Sequence, residues 1–227
     1  MSKTQIATGG IADSAVATAK IADDAVGNTK LDLSANYAFT GTITGAGGGL
    51  VKISSTSTSD ASSITLTSQF SSTYRNYLVI LDDVGSTTSD TLEMVLINSS
   101  GAITSNTYVQ TYVGWQSGVT SGQHSRDCWR LHQTNGFLGN SAPHHYPRLA
   151  INIFSPQLTT GTGFTCLSHF RNDSNSAWIM EMNSGHQVDG SSSVGTANQC
   201  TGFRIETTNG NHFNDSHGKI TVYGYEA

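Results

Sequence analysis

The sequence is poor in charge, in proline and in cysteine, and these shortages exclude several classes of protein. Charged residues make up 12% of the 227 residues, about half of the usual share in a soluble globular protein. The chain has 3 prolines but 8 tyrosines, 8 phenylalanines and 3 tryptophans, whereas a disordered tail is rich in charge and proline and poor in aromatic residues. Polar but weakly charged strands suit copies that pack side by side, since like charges would repel.

Basic residues and long apolar runs are also scarce. The 11 lysines and arginines form no cluster and the net charge is −5, which argues against a nucleic-acid partner. No apolar run approaches the roughly eighteen residues that a transmembrane helix needs, so we expect no membrane insertion. The N-terminus lacks the basic region and apolar core of a signal peptide, which predicts assembly in the cytoplasm.

The few cysteines do not form the pattern of a disulfide framework or a zinc site. Cys128, Cys166 and Cys200 are an odd number at wide spacings. We therefore expect reduced, buried thiols that fill the core.

The first thirty residues contain one six-residue motif twice. Ile-Ala-Asp-Ser-Ala-Val at 11–16 returns at 21–26 as Ile-Ala-Asp-Asp-Ala-Val, and a lysine closes each copy. The apolar positions of the repeat are Ile11, Val16, Ile21, Val26 and Leu31. Their spacing of five fits neither a helix face nor a strand, and a repeat this short becomes ordered only by stacking on copies of itself or on a partner. Residues 1–33 are therefore predicted to be an extended arm for docking or assembly.

The repeat and the segment after it resemble a known class of protein. Together with Asn36-Tyr37-Ala38-Phe39-Thr40-Gly41-Thr42-Ile43, the repeat resembles the N-terminal region of bacteriophage tail-fibre and related virion-fibre proteins, especially those of marine and cyanobacterial phages. The segment from Gly218 to Tyr225 resembles the last strand of small β domains at the ends of such proteins. The resemblance implies a virion location, a homotrimer, and docking onto a tail adaptor, a tail nozzle or another virion protein. No catalytic or binding residue carries over.

After the arm, the pattern becomes that of β-structure. Residues 34–50 are predicted to be a short strand followed by a glycine-rich hinge. From 51 to 227, about eight to ten short runs of strand type are separated by Gly, Ser and Asn clusters, without an amphipathic helix. This pattern predicts an all-β fold, an antiparallel β-sandwich that most resembles a jelly roll. The apolar run from Tyr77 to Leu81 is expected to be covered on both faces, and the run from Ile220 to Tyr225 to lie inside a sheet.

The histidines do not predict a metal site. His144 and His145 are adjacent, so in a strand they would point to opposite faces. Pro143 and Pro147 favour a loop there, but a third ligand at a readable spacing is missing. The groups at 186–189 and 212–217 have the same weakness. We expect neither a metal nor a cofactor.

A hydrolase is also not expected. A glycosidase needs two carboxylates across a sugar-binding cleft, whereas Glu93, Glu181 and Glu206 alternate with core-type residues and are expected on outward faces of sheets. No Gly-x-Ser-x-Gly turn is present to expose a serine nucleophile. A glycan-degrading tailspike is the least favoured interpretation.

Aromatic residues in predicted loops or strand ends are better candidates for ligand binding. The candidate receptor-binding residues are Trp115, His124, Arg126, His144, His145 and Tyr146. Aromatic rings can stack on a sugar while neighbouring polar groups hydrogen-bond its hydroxyls, but the same aromatics are as well explained as core residues or subunit contacts. The leading interpretation is a non-enzymatic tail fibre that contacts a host-surface glycan through its C-terminal β domain. The alternative is a capsid-bound fibre or decoration protein.

Overall fold

The described part of the chain is a β domain. The computed structural model describes residues 49–86, 90–104, 108–114, 124–132, 147–158, 161–171, 178–187, 199–213 and 218–225, all within the unit Gly47–Ala227. These residues form antiparallel strands and no helix, so the all-β prediction is confirmed, and no helix suited to crossing a membrane occurs among them. The predictions for the arm at 1–33 and for residues 34–48 lie outside the described residues.

The described residues form thirteen strands, more than the eight to ten predicted. They are β1 (Leu50–Ser57), β2 (Ser63–Leu66), β3 (Asn76–Asp82), β4 (Leu92–Asn98), β5 (Gly101–Ala102), β6 (Tyr108–Gly114), β7 (His124–Arg126), β8 (Trp129–Arg130), β9 (Arg148–Phe154), β10 (Thr162–Arg171), β11 (Trp178–Gln187), β12 (Cys200–Thr207) and β13 (Lys219–Tyr225). Three of them, β5, β7 and β8, have only two or three residues. The serine-rich β1 begins at Leu50, the last residue assigned to the predicted hinge.

The strands form two antiparallel sheets in which early and late strands are neighbours. The eight-stranded sheet has the order β1-β13-β3-β9-β10-β11-β6-β7, and the five-stranded sheet has the order β2-β12-β4-β5, with β8 also paired to β4. The last strand, β13, therefore lies between β1 and β3. This confirms the prediction that the run from Ile220 to Tyr225 lies inside a sheet.

One hydrophobic core joins the inner faces of the two sheets. Leu92, Met94 and Leu96 of β4 are fully buried against it. Trp129 of β8 stacks on Phe164 of β10, with ring centroids 4.3 Å apart. Each large apolar side chain buried in this way contributes about 1.5–3 kcal/mol. The arrangement is that of a β-sandwich.

The burial pattern of the strands follows the alternation of the sequence, with one correction. In β3, Tyr77, Val79 and Leu81 are fully buried, while Leu78 and Ile80 are half-buried on the other face. The prediction that this run is covered on both faces is therefore wrong for the single chain. The described residues provide a second layer for the inner face of the eight-stranded sheet only.

The strand directions define two ends of the domain. At the proximal end, where β1 begins, Leu50 pairs with Tyr225. At the distal end, β3 finishes at Asp82, which pairs with Lys219 at the start of β13 and with Arg148 at the start of β9. The chain thus enters the sandwich at the proximal end.

Candidate interaction surfaces

Most of the residues proposed from the sequence for receptor binding lie outside the described residues. This holds for Trp115, His144, His145 and Tyr146. The backbone of His124 and Arg126 forms β7 at the edge of the eight-stranded sheet, next to β6. The assignment of these six residues to receptor binding stays a prediction.

The described residues that border these gaps lie toward the distal end. Strand β6 runs toward that end and finishes at Gly114, immediately before Trp115. Pro147, which follows Tyr146, directly precedes Arg148, and Arg148 pairs with Asp82 at the distal end. The chain therefore leaves and re-enters the sandwich at this end in both places.

A buried carboxylate organises another part of the distal end. Asp90 is 2% exposed and accepts hydrogen bonds from the Thr91 N–H at 2.7 Å, from Nδ2 of Asn209 at 3.0 Å and from Nδ2 of Asn211 at 2.8 Å. These bonds hold the turn after β12 against the start of β4. Because donors of the same chain occupy the carboxylate oxygens, Asp90 acts as a structural anchor for the turn. Sequence reasoning did not single out Asp90, and an aspartate opposite an Asn-Gly-Asn turn gives only a weak signal.

A second polar contact lies beside this turn. Nδ1 of His212 is 2.6 Å from Oδ1 of Asp60, and both side chains are more than half exposed. The Ser86 hydroxyl donates to the His212 carbonyl at 3.1 Å. Within the described ranges, no group of three or more His, Cys, Asp or Glu side chains is placed to hold a metal ion. Asp189, Asp215, and His217 lie outside those ranges.

The three strand glutamates are separated and do not face one cleft. Glu93 forms an ion pair with Arg130 at 3.2 Å, and Glu206 forms one with Arg204 at 2.7 Å, both on the outer face of the five-stranded sheet. The prediction that Glu181 also faces outward is wrong, because it is 2% exposed on the inner face of β11.

Strand β11 carries polar residues inside and apolar residues outside. Glu181 and Asn183 are buried, whereas Met180 and Met182 are 53% and 57% exposed. The Asn183 Nδ2 donates to the Leu131 carbonyl at 3.0 Å, which satisfies part of the buried polarity. A strand with one solvated face normally shows the opposite pattern. The outer face of β11 is therefore an unusual surface for a solvent-exposed strand.

Met182 belongs to a larger apolar row on the outer face of the eight-stranded sheet. In register across β6, β11, β10, β9 and β3, this row consists of Val113, Met182, Leu167, Ala150 and Ile80. Val113, Met182 and Leu167 are each about half exposed. A parallel polar row, on the proximal side, consists of Thr111, Ser184, Thr165 and Asn152. The sequence did not predict either row, because each depends on the pairing of distant strands.

The two outer faces of the sandwich differ in character. Of the nine large hydrophobic side chains exposed among the described residues, eight lie on strands of the eight-stranded sheet and the ninth, Leu158, in the loop after β9. The outer face of the five-stranded sheet instead carries the ion pairs of Glu93 and Glu206. Within the described strands, the broad apolar surface therefore lies on the eight-stranded sheet.

Two shallow recesses of ligand size lie toward the proximal end. The first, of about 360 Å³, is lined by Phe154, Gly163, Ser184 and His186, among others, on the outer face of the eight-stranded sheet. The second, of about 310 Å³, lies between the loops before β3 and after β9, and Tyr74, Arg75 and Gln199 line it. Neither recess contains a residue that the sequence analysis proposed for receptor binding.

Two buried cysteines are unsuited to nucleophilic chemistry. All three cysteines are buried thiols, as predicted. Burial raises the pKa of Cys200 to about 11, an effect that its hydrogen bond with Thr162 only partly offsets. Burial also raises the pKa of Cys166 and of Tyr108 above their usual ranges. Cys166 and Cys200 are therefore neutral near pH 7, and a neutral thiol is a poor nucleophile.

No protein-family model, curated protein or solved structure matches this chain. The functional proposals depend on the N-terminal repeat and on the surfaces described above.

Proposed function

We propose that this chain is a bacteriophage virion protein, a tail fibre that is attached to the particle by residues 1–33 and contacts the host surface through its C-terminal β domain. The observation that carries the proposal is the tandem repeat at 11–30, with its five-residue apolar spacing and its resemblance to virion-fibre proteins. The protein acts as a structural and binding component without catalytic activity. It is assembled in the host cytoplasm and resides in the virion.

The strand order supports a finer description of the domain, a jelly roll. The strands β1-β13-β3-β9 on one sheet and β2-β12-β4-β5 on the other interleave the first strands of the chain with the last. This interleaving is that of the double-sheet jelly roll built from two Greek keys. Strands β10, β11, β6 and β7 extend one of its sheets. A jelly roll exposes its loops at two opposite ends, which suits a domain that must be held at one end and bind at the other.

The two ends of the domain support host contact by the distal loops. The chain enters at Leu50 at the proximal end. The gaps that contain Trp115 and Tyr146 are bordered by described residues toward the distal end. Loops remote from the point of attachment are those free to meet a cell surface, and loops commonly carry binding residues. A host glycan is the proposed ligand.

The proposed assembly is a homotrimer that docks on a tail adaptor, a tail nozzle or another virion protein. Self-association is supported by the low charge of the chain and by the apolar row on the eight-stranded sheet. The number three comes from the resemblance to phage fibres. Closed symmetric assemblies of identical subunits are the usual form of soluble oligomers.

Changing the apolar positions of the arm tests the attachment. Replacing Ile11, Val16, Ile21, Val26 and Leu31 together with serine should leave a soluble protein that no longer enters particles. The matched control replaces Thr8, Thr18 and Thr29 with serine, which preserves the apolar positions. Particle incorporation is measured by mass spectrometry of purified virions. Normal incorporation of the first variant would remove the arm as the attachment segment.

Two further measurements separate the proposal from its alternatives. A low-resolution view of particles that carry a labelled copy distinguishes a tail fibre from a capsid-bound fibre or decoration protein. Incubation with host polysaccharide distinguishes both from a glycan-degrading tailspike. Label on the capsid surface, or release of oligosaccharides, would replace the tail-fibre proposal.

A further inference from the structure

We infer that a second copy of this chain packs on the outer face of the eight-stranded sheet, with the apolar row of Val113, Met182, Leu167, Ala150 and Ile80 at the centre of the contact. The inference rests on the proposed self-association, which it deepens by locating the contact. It does not depend on the virion role.

Exposed apolar side chains accumulate along one register line of this face. Val113, Met182 and Leu167 are neighbours across β6, β11 and β10, and each has about half of its surface exposed. Met180 and the half-buried Ile80 extend the patch. Contiguous exposed apolar surface on a soluble protein marks an interaction site.

The orientation of β11 also favours a partner that covers the outer face. Alternate residues of a strand point to opposite faces, so either set can be the buried one. The methionines could have been buried, with Glu181 and Asn183 facing solvent. The chain has the reverse arrangement. Two long apolar side chains are thereby placed beside Leu167 and Val113. This arrangement is stable in an assembly that covers the methionines, since both faces of β11 are then shielded from water.

The outer face is also large enough for a stable contact. The face spans the seven neighbouring strands β1-β13-β3-β9-β10-β11-β6. With a spacing of about 4.8 Å between strands and a strand length of about 23 Å, its area is roughly 750 Å². One partner in an interface of standard size contributes about 800 Å². The outer face therefore has the area that a stable contact between two copies needs.

Several polar groups of this face are already paired within the chain. Thr111 Oγ1 and Ser184 Oγ are 3.2 Å apart, and Asn152 Nδ2 donates to Thr165 Oγ1 at 3.3 Å. The Tyr225 hydroxyl donates to Asn152 Oδ1 at 2.6 Å. Covering these groups costs less than covering unpaired ones.

The charges at the margin of the face favour a second copy over a strongly charged partner. At the distal margin of the face, Arg148 lies 2.8 Å from Asp82 and 3.8 Å from Asp83, and Lys219 pairs with Asp82 across the strands. Two basic and two acidic groups thus balance. Lys52, in register with Tyr223, adds one positive charge to this face, so a nucleic acid or an acidic membrane would find a single excess charge and not a basic patch. A second copy of the same face therefore meets little charge of its own sign.

Methionine oxidation of the full-length protein tests the contact directly. Met180 and Met182 are exposed in the single chain, and Met94 is fully buried in its core, so Met94 is an internal standard for folded protein. With dilute hydrogen peroxide and peptide mass spectrometry, we expect Met180 and Met182 to react at least about tenfold more slowly than in urea-unfolded protein, because oxidation follows exposure. Light scattering of the same sample should give a multiple of the chain mass. Rapid oxidation of Met180 and Met182 while Met94 stays protected would overturn the inference.

A matched pair of variants assigns the protection to this face. Leu167→Glu places a charge in the apolar row and should lower the assembly mass and expose Met182. Thr65→Glu places the same charge at an exposed position of β2 on the other sheet. It should change neither the assembly mass nor the protection of Met182. If Leu167→Glu also exposes Met94, it has unfolded, and Val113→Glu takes its place.

The remaining outcomes show what covers the outer face and separate this inference from the proposed function. Protection of both methionines in a monomeric sample would mean that another segment of the same chain covers the face, and would overturn packing by a second copy. Protection that persists in an assembly carrying Leu167→Glu and Val113→Glu would also overturn it. The arm variant with five serines tests only the attachment of the arm to the particle. Methionine protection measured in that variant reports the contact between sheets separately, so the two proposals can fail independently.

Discussion

The Tyr108 hydroxyl accepts a hydrogen bond from the backbone N–H of Leu96 at 2.9 Å. Tyr108 is on β6 of the eight-stranded sheet and Leu96 is on β4 of the five-stranded sheet, so this bond crosses the core. The same hydroxyl donates to the Ile103 carbonyl at 2.9 Å. A single phenol thereby joins the two sheets and the segment after β5, in a place where water has no access.

We expect Tyr108→Phe to lower the free energy of unfolding by about 1–3 kcal/mol, because the Leu96 N–H and the Ile103 carbonyl would be left buried without this partner. The control is Tyr223→Phe on β13, since the Tyr223 hydroxyl makes no hydrogen bond among the described residues. Urea unfolding followed by tryptophan fluorescence gives both values. Equal stability of the two variants would show that the Tyr108 bonds do not hold the sheets together.

Strands whose two faces differ in polarity could be predicted from the sequence. In β9, Leu149, Ile151 and Ile153 alternate with polar or small residues and are buried as the pattern indicates. Strand β1 was not predicted, because Ser54 to Ser57 offers no apolar alternation. Strand β1 forms because its backbone pairs with β13. Pairing between strands at opposite ends of a chain leaves no local signal in either one.

The orientation of β11 could not be predicted for a different physical reason. A period of two separates the residues of a strand into two sets but does not say which set is inside. From hydrophobicity alone, Met180 and Met182 would be assigned to the core and Glu181 to the solvent. The predicted outward position of Glu181 was wrong for this reason. The apolar row shows the same limit on a larger scale. It unites residues from 80 to 182 through the register of five strands, and the periodicity of single segments does not contain that register.

A glycine on the last strand provides a second test of the packing. A Cβ added at Gly224 would lie 2.4–2.7 Å from ring atoms of Tyr74, and Tyr74 packs against the core. We expect Gly224→Ala to destabilise the domain by about 1–3 kcal/mol, because the ring must move. At Gly163, the nearest atom to an added Cβ is 3.6 Å away.

Gly163→Ala is therefore the matched control, with an expected change within about 0.5 kcal/mol. Thermal unfolding of the two variants beside the parent protein gives the comparison. A harmless Gly224→Ala would mean that Tyr74 is free to leave its position on β13.

The buried thiols should make the stability fall at high pH. Burial raises the pKa of Cys200 from 9.0 to about 11, so between these values the unfolded chain loses a proton that the folded chain keeps. The contribution is full below about pH 9 and is lost as the pH rises through about 11, with a slope of up to about 1.4 kcal/mol per pH unit. The raised pKa of Cys166 acts in the same direction.

Urea unfolding at several values between pH 7 and pH 10.5 measures this slope. Cys200→Ala should lower the stability at pH 7 and reduce the slope above pH 9, since one titrating group is removed. A thiol reagent at pH 8 should react with the cysteines only after urea is added. An unchanged slope in Cys200→Ala would assign the alkaline destabilisation to other groups.

The proposed host contact leads to a prediction for Trp115 and Tyr146. If Trp115 and Tyr146 stack on a host glycan, each site binds with millimolar to micromolar affinity, on the order of 4–8 kcal/mol. Several copies on one particle raise the overall affinity through effective concentration, which suits reversible landing on a cell. Trp115→Ala and Tyr146→Ala should then weaken adsorption of whole particles and leave the melting temperature of the protein nearly unchanged.

Two other aromatic residues provide the controls for this last test. Phe154→Ala removes an exposed ring at the proximal end and should leave adsorption at the level of the parent particle. Trp129→Ala removes a fully buried ring and should lower stability by about 3–5 kcal/mol. If Trp115→Ala and Tyr146→Ala behave like Trp129→Ala, the two aromatics are core residues and the receptor site lies elsewhere. If they fold normally and adsorb like Phe154→Ala, Trp115 and Tyr146 do not belong to the receptor site. The decoration-protein alternative would then explain the repeat arm better, because an arm that docks on the particle does not require a receptor.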